Sequence, residues 1–226
     1  MLKLAKYFLK LFLISFIGFT ACWVILYRFI NPPVTWLMLQ RAVERKVDGK
    51  TWKIDKEWKD FEDISLNFKK AVIAAEDQKF LNHYGFDFKA IEKAIDKNKS
   101  GAQLRGGSTI SQQTAKNVFL WAGRSWLRKG FETYFTVLIE IFWSKQRILE
   151  VYLNVIEMGD GIYGIQAASN NFFNTDAGKL TQRQAALIAA VLPNPRRWSP
   201  AKPTPYINKR QQQIIRNMRR LGPLSF

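Results

Sequence analysis

The 226-residue sequence predicts a mostly α-helical protein preceded by one membrane-spanning helix, and three observations carry that prediction. An uncharged apolar run extends from Leu11 to Tyr27. From Ser65 onward, hydroxyl or carboxylate residues stand just ahead of stretches with a helical apolar rhythm. The apolar and polar alternation of strands is almost absent.

At about 1.5 Å per residue, Leu11 to Tyr27 covers most of a hydrocarbon core of about 30 Å, and Phe8, Leu9, Phe29 and Ile30 supply the rest. A cleaved secretory signal would have a shorter apolar region followed by small residues. Trp23-Val-Ile-Leu-Tyr27 prolongs the run instead, so it reads as an uncleaved anchor. Phe19-Thr-Ala-Cys22 faintly resembles a lipoprotein processing site, but cleavage there would leave apolar residues directly after the lipidated cysteine. Lys3, Lys6 and Lys10 before the span are matched by Arg28, Arg41, Arg45 and Lys46 after it, so charge leaves the orientation open.

Asn31-Pro-Pro33 ends the span, and residues 34–64 lack sustained periodicity, which predicts an extended connector laid on the domain. Helices are expected at 66–80, 88–97 and 182–192, capped by Ser65, Asp87 and Thr181. Further helices are expected at 111–119, 126–142, 145–155, 163–173 and 206–221. Glycines at 101–107 and 159–164 mark loops between helices, and 193–205 is Pro-rich and irregular. The chain thus divides into a tail (1–10), an anchor (11–30), a connector (31–63), one catalytic-sized domain (64–200) and a closing helix (201–226).

The net charge is +17; the first thirty residues hold four positive charges and no acid, leaving +13 beyond the anchor. A domain that basic seeks an anionic partner, whether acidic lipid, nucleic acid or a phosphate-bearing substrate. Cys22, the only cysteine, lies in the span, so no disulfide staples the remainder.

Four segments carry candidate chemistry. Glu76-Asp77 closes the apolar helix Ala71-Val-Ile-Ala-Ala75, where an acid against an apolar surface can have its pKa raised toward a general base's range. Phe80, His83 and Gly85 follow; His83 is the only histidine, which excludes a multi-histidine metal site and suits a structural bond to the turn at Gly85. Gly106-Gly-Ser-Thr-Ile-Ser-Gln-Gln-Thr-Ala-Lys-Asn117 leads into a helix start that can offer N–H groups to phosphate or sugar oxygens. Arg128-Lys129 and Glu132 set two cations and a carboxylate within about one helical turn. In Lys145-Gln-Arg-Ile-Leu-Glu-Val-Tyr-Leu-Asn154, Ile148 and Tyr152 share a face that reads most simply as core. Each segment also has an ordinary structural reading.

Together and in this order, they resemble the peptidoglycan glycosyltransferases, the family-51 enzymes found alone or as the first catalytic domain of bifunctional penicillin-binding proteins. The likeness spans about 64–200 and includes Glu-Asp-x-x-Phe-x-x-His-x-Gly at 76–85 and Gly-Gly-Ser-Thr-Ile-x-Gln-Gln-x-x-Lys-Asn at 106–117. It continues with Arg-Lys-x-x-Glu at 128–132, Lys-x-x-Ile-Leu-Glu-x-Tyr-Leu-Asn at 145–154 and Arg183-Gln-Ala-Ala-Leu-Ile-Ala-Ala-Val-Leu-Pro-Asn-Pro195.

The resemblance implies a lysozyme-like helical catalytic domain with a smaller membrane-proximal lobe. It implies lipid II, a disaccharide-pentapeptide on undecaprenyl pyrophosphate, and the growing glycan strand as substrates. By it, Glu76 is the base that activates the acceptor hydroxyl and Glu132 the second essential glutamate. Lys116, Arg128 and Lys129 contact pyrophosphate, and Asp77, Thr109, Gln113 and Asn117 line the same cleft. It implies no required cofactor, though a divalent metal is allowed beside the pyrophosphate. Membrane lipid and other cell-wall or division proteins are the expected partners, with no nucleic acid. Moenomycin should inhibit, and the domain should face the outer side of the plasma membrane.

The only Ser-x-x-Lys is Ser199-Pro-Ala-Lys202, with no Lys-Thr-Gly after it, so a transpeptidase activity is not expected. Two rival readings are a lytic muramidase and a non-enzymatic basic tether. A hydrolase needs an acid for its alcohol leaving group, whereas a cation cluster suits pyrophosphate. The block 119–129 interleaves aromatics with cations and is expected to dip into the headgroup layer.

Overall fold

The computed structural model describes residues 2–89, 92 and 107–226. Most of the helix expected at 88–97, and the glycines at 101 and 106, lie outside the described residues.

The described chain is mostly helical. Helix α1 (Leu2–Phe29) contains, from Lys3 to Phe29, a stretch of mean hydropathy 2.2 that is long and apolar enough to cross a membrane, and it fits a single-pass anchor. Its carboxy-terminal half is docked on the domain. Thr20 and Tyr134 hydroxyls meet at 2.6 Å, the Trp143 indole N–H donates to the Val24 carbonyl at 2.8 Å, and Trp23 packs edge-on against Phe119. Arg147 then donates to the carbonyls of Tyr27 and Ile30, which a helix end leaves without intrahelical partners.

The segment expected to be extended instead forms α2 (Trp36–Val47), capped by Thr35 accepting from the Met38 N–H. Its buried face is only Leu37, Met38, Ala42 and Arg45, too narrow and too charged to read as an amphipathic stripe. Gln40 fastens α2 to the domain by accepting from the Ala122 N–H at 2.6 Å.

Helix α3 (Leu66–Glu76) starts at Ser65 as expected but stops short of residue 80, because Asp77 leaves helical geometry at φ −159° and ψ 80°. Helices α4 (Ile110–Phe119), α5 (Trp126–Phe142), α6 (Lys145–Val155), α7 (Ile165–Phe173), α8 (Gln182–Val191) and α9 (Pro205–Arg220) follow. Thr109 and Thr181 make capping boxes with Gln112 and Gln184.

Among the described residues, three short strands break the helical pattern: β1 (Asp55–Lys56), β2 (Glu157–Gly159) and β3 (Ile162–Tyr163), in the order β1-β3-β2. Strand β3 runs parallel to β1 and antiparallel to β2. Tyr163, expected to open a helix, therefore lies in β3; α7 begins only after Gly164, which has φ +78° and where a Cβ would stand 2.7 Å from the Asn154 carbonyl oxygen.

Helix α3 packs on α8 and α9, while α4 lies against α5 and α6, and α1 joins α5. Both groups share one core around Phe68, Phe80, Ile148 and Tyr152. Their meeting places Glu76, at the end of α3, against the side chains of α4.

Candidate active site

Glu76 is the last residue of α3, with a side chain only 14% exposed. Its Oε2 accepts from the Gln113 amide at 2.9 Å, and its Oε1 lies 3.6 Å from an Arg210 guanidinium nitrogen without a hydrogen-bond partner. Burial pushes its pKa up, and the Gln113 hydrogen bond, Arg210 and Lys116 hold it back. The buried Tyr152 hydroxyl donates to Gln113 Oε1 at 3.1 Å, which turns the Gln113 NH2 toward Glu76. Tyr152 is thus more than core, and Arg210 on α9 joins the site from beyond the recognisable motifs.

The neighbouring residues build a frame. Asp77 is buried, its carboxylate 3.0 Å from His83 Nε2 and accepting from the first amide of α4, Ile110 N–H, at 3.1 Å. Asp77 therefore holds the end of α3 to the start of α4. His83 was expected to bond the turn at Gly85; it bonds Asp77 instead, and the Thr109 hydroxyl donates to the Gly85 carbonyl at 2.6 Å. Gly85 has φ +81°, and a Cβ there would stand 2.8 Å from Thr136 Cγ2. Phe80 is fully buried beneath, with the Lys145 ammonium 4.7 Å from its ring.

The cations converge from α4 and α5. Glu132, only 3% exposed, accepts from Arg128 at 3.0 Å and from Lys129. Arg128 Nε is buried without a hydrogen-bond partner among the described residues. Lys116 makes no hydrogen bond or ion pair among the described residues; burial lowers its pKa, with Glu132 opposing and Arg128, Arg41 and Lys129 adding to the fall. Asn117 donates to the Gln113 carbonyl at 2.7 Å and so braces the helix turn below Glu76.

Between these groups lies a cleft of about 500 Å³, lined by Gln113, Lys116, Asn117, Arg128 and Tyr152 on one side and by Leu37, Arg41 and Glu44 of α2 on another. Arg124, Glu157, Pro193 and Pro195 complete its rim. Glu76, Asp77 and Thr109 border an adjoining hollow of about 230 Å³, so Gln113 stands at the junction and joins the carboxylate to the cationic cleft. Arg41, Arg124, Tyr152, Glu157 and Arg210 were not among the expected site residues; their signal lies in the packing.

Among the described residues, no group of three His, Cys, Asp or Glu side chains comes together to hold a metal, and Glu132 is already shared by two cations.

A buried carboxylate thus stands beside a cleft lined by cations in a mostly helical chain, behind a helix fit for anchoring. The family model for transglycosylases matches residues 44–219, and the chain belongs to that family; it is a glycosyltransferase. It is 51% identical to the biosynthetic peptidoglycan transglycosylase of Stutzerimonas stutzeri, over 98% of this chain and 90% of that protein. The protein of that name from Caulobacter vibrioides is 54% identical over 91% of this chain and 87% of its own length. That from Pseudomonas putida F1 is 49% identical over 95% and 91%.

Proposed function

We propose that this chain polymerises peptidoglycan glycan strands from lipid II. The observation that carries the reading is the placement of buried Glu76, joined through Gln113 to a cleft lined by Lys116 and Arg128. The Glu76 carboxylate takes the proton from the 4-hydroxyl of the acceptor GlcNAc. That oxygen attacks the anomeric carbon of the donor MurNAc with inversion, and the carbon–oxygen bond to undecaprenyl pyrophosphate breaks.

The leaving group departs with the bond's electron pair. Lys116, Arg128 and Lys129 stabilise its charge, so a general acid is not needed. Glu132 clamps two of those cations in place while being screened by them. Asp77, His83, Gly85 and Thr109 act one layer out by fixing the ends of α3 and α4; Asn117 and Phe80 brace the same helices.

In this reading α1 anchors the chain in the plasma membrane with the short tail inside and the domain on the outer face, where strands are built. Trp126 and Leu127, 92% and 67% exposed at the start of α5, support contact with the headgroup layer beside Arg128. Phe119 and Leu120 of the same aromatic block are core residues, so only its carboxy-terminal part is available for that contact.

Polymerisation of labelled lipid II by the wild type and by Glu76→Gln tests the assignment. Product from the wild type alone is expected, with inhibition by moenomycin; equal product from both proteins refutes Glu76 as the base. Release of short muropeptides from purified sacculi would favour the lytic alternative.

A further inference from the structure

The α2 and β2 walls of the cleft hold charged groups that the reaction described above does not use. Arg41 and Glu44 line it from α2, and Glu157 lines it from β2. Arg41 and Arg196 converge on the same oxygen of Glu44, at 2.6 and 3.3 Å. Asp160, next to β3, is taken by Arg45 and, at 2.9 Å, by Lys50, leaving Arg196 at 3.8 Å from its other oxygen. Arg41 Nε is buried and has no hydrogen-bond partner among the described residues.

Burial pushes the Glu157 pKa up, opposed by the Gly161 N–H, Arg196 and Arg41. Among the described residues, four cations, Arg41, Arg45, Lys50 and Arg196, thus stand against three carboxylates, Glu44, Glu157 and Asp160. On the α4 and α5 side, Lys116, Arg124 and Arg128 line the cleft, and Glu132 behind them pairs with Arg128 and Lys129.

We propose that Arg41, backed by Arg196, forms a second anion subsite of this cleft, which takes a carboxylate of the substrate's peptide. This rests on the glycosyl-transfer reading given above. The smaller positive surplus suits a singly charged group, while the larger one at the Arg128 end suits a diphosphate. The two guanidinium groups already share one carboxylate oxygen, that of Glu44, and a planar carboxylate matches the guanidinium fork.

The test compares two probes with the full-length protein in detergent: lipid II with free peptide carboxylates, and the same molecule with them amidated. Arg41 and Arg196 side chains are each about a third exposed, so substitution there spares the core. The wild type is expected to favour the free acid in kcat/KM. Arg41→Gln and Arg196→Gln should each reduce that preference roughly five-fold, the scale of a partly solvated charge-assisted contact. Arg41→Lys, which keeps the charge but loses the fork, should lose part of it. An acid-to-amide ratio unchanged in all three variants overturns the subsite, including the case in which both substrates slow equally. A wild type inert on both probes would instead sink the glycosyl-transfer reading, and the subsite with it.

Discussion

Replacing Gln113 by alanine removes the one hydrogen bond that the Glu76 carboxylate accepts among the described residues. A hydrogen bond to a charged group contributes about 1.5–3 kcal/mol, and about 1.4 kcal/mol corresponds to one pKa unit. Glu76 is only 14% exposed, so water replaces little of the loss, and Arg210 at 3.6 Å remains. The Glu76 pKa, already raised by burial, should climb by about one to two further units.

The base works deprotonated, so activity rises with pH through that pKa, and the acid limb of kcat/KM should move to higher pH by the same interval. Below the limb the rate falls by about ten- to a hundred-fold, and much of it returns on raising the pH. Linkage runs the same way. A carboxyl whose folded pKa is raised loses stability as pH rises through that value, so the variant should also be less stable than wild type near neutrality. Lipid II polymerisation measured against pH for both proteins decides the matter; an acid limb at the same pH in each would show that Gln113 does not tune Glu76.

Tyr152→Phe should shift the acid limb in the same direction by less, since it frees the Gln113 amide to turn without removing it; the same pH profile reads this. Glu132→Ala leaves Arg128 buried without its carboxylate and should cost about 3–5 kcal/mol in denaturant unfolding, with Glu132→Gln milder. Gly85→Ala combines a left-handed φ with a 2.8 Å clash against Thr136 and should lower stability by about 2–4 kcal/mol, seen as a fall in Tm. Arg147→Ala frees the Tyr27 and Ile30 carbonyls and should speed proteolysis between α1 and α2, with cleavage no faster than wild type counting against the clamp.

Much of the helical framework was legible because helices are set by contacts three and four residues apart. Ser125 and Ser144 cap α5 and α6 where the apolar rhythm begins, and both helices span the expected residues. Helix α2 was not legible, because its buried face includes Arg45, whose partner Asp160 lies far along the chain. The end of α3 was misplaced for a similar reason: Asp77 leaves the helix where its carboxylate receives the α4 amide.

The site divides along the same line. Glu76, Gln113, Lys116, Arg128, Lys129 and Glu132 stand in short motifs whose residue types announce carboxylate and cation chemistry, and the run Leu11 to Tyr27 announces an anchor. Those the sequence determined by itself. Only the tertiary structure decided that Tyr152 and Arg210 serve Glu76, that α2 walls the cleft with Arg41, and that the anchor is docked on α5 through Thr20 and Tyr134. Capping and periodicity act within one or two helical turns and leave their mark in adjacent letters. Desolvation and charge pairing are sums over whatever the fold brings near, and those neighbours come from segments that no local pattern connects.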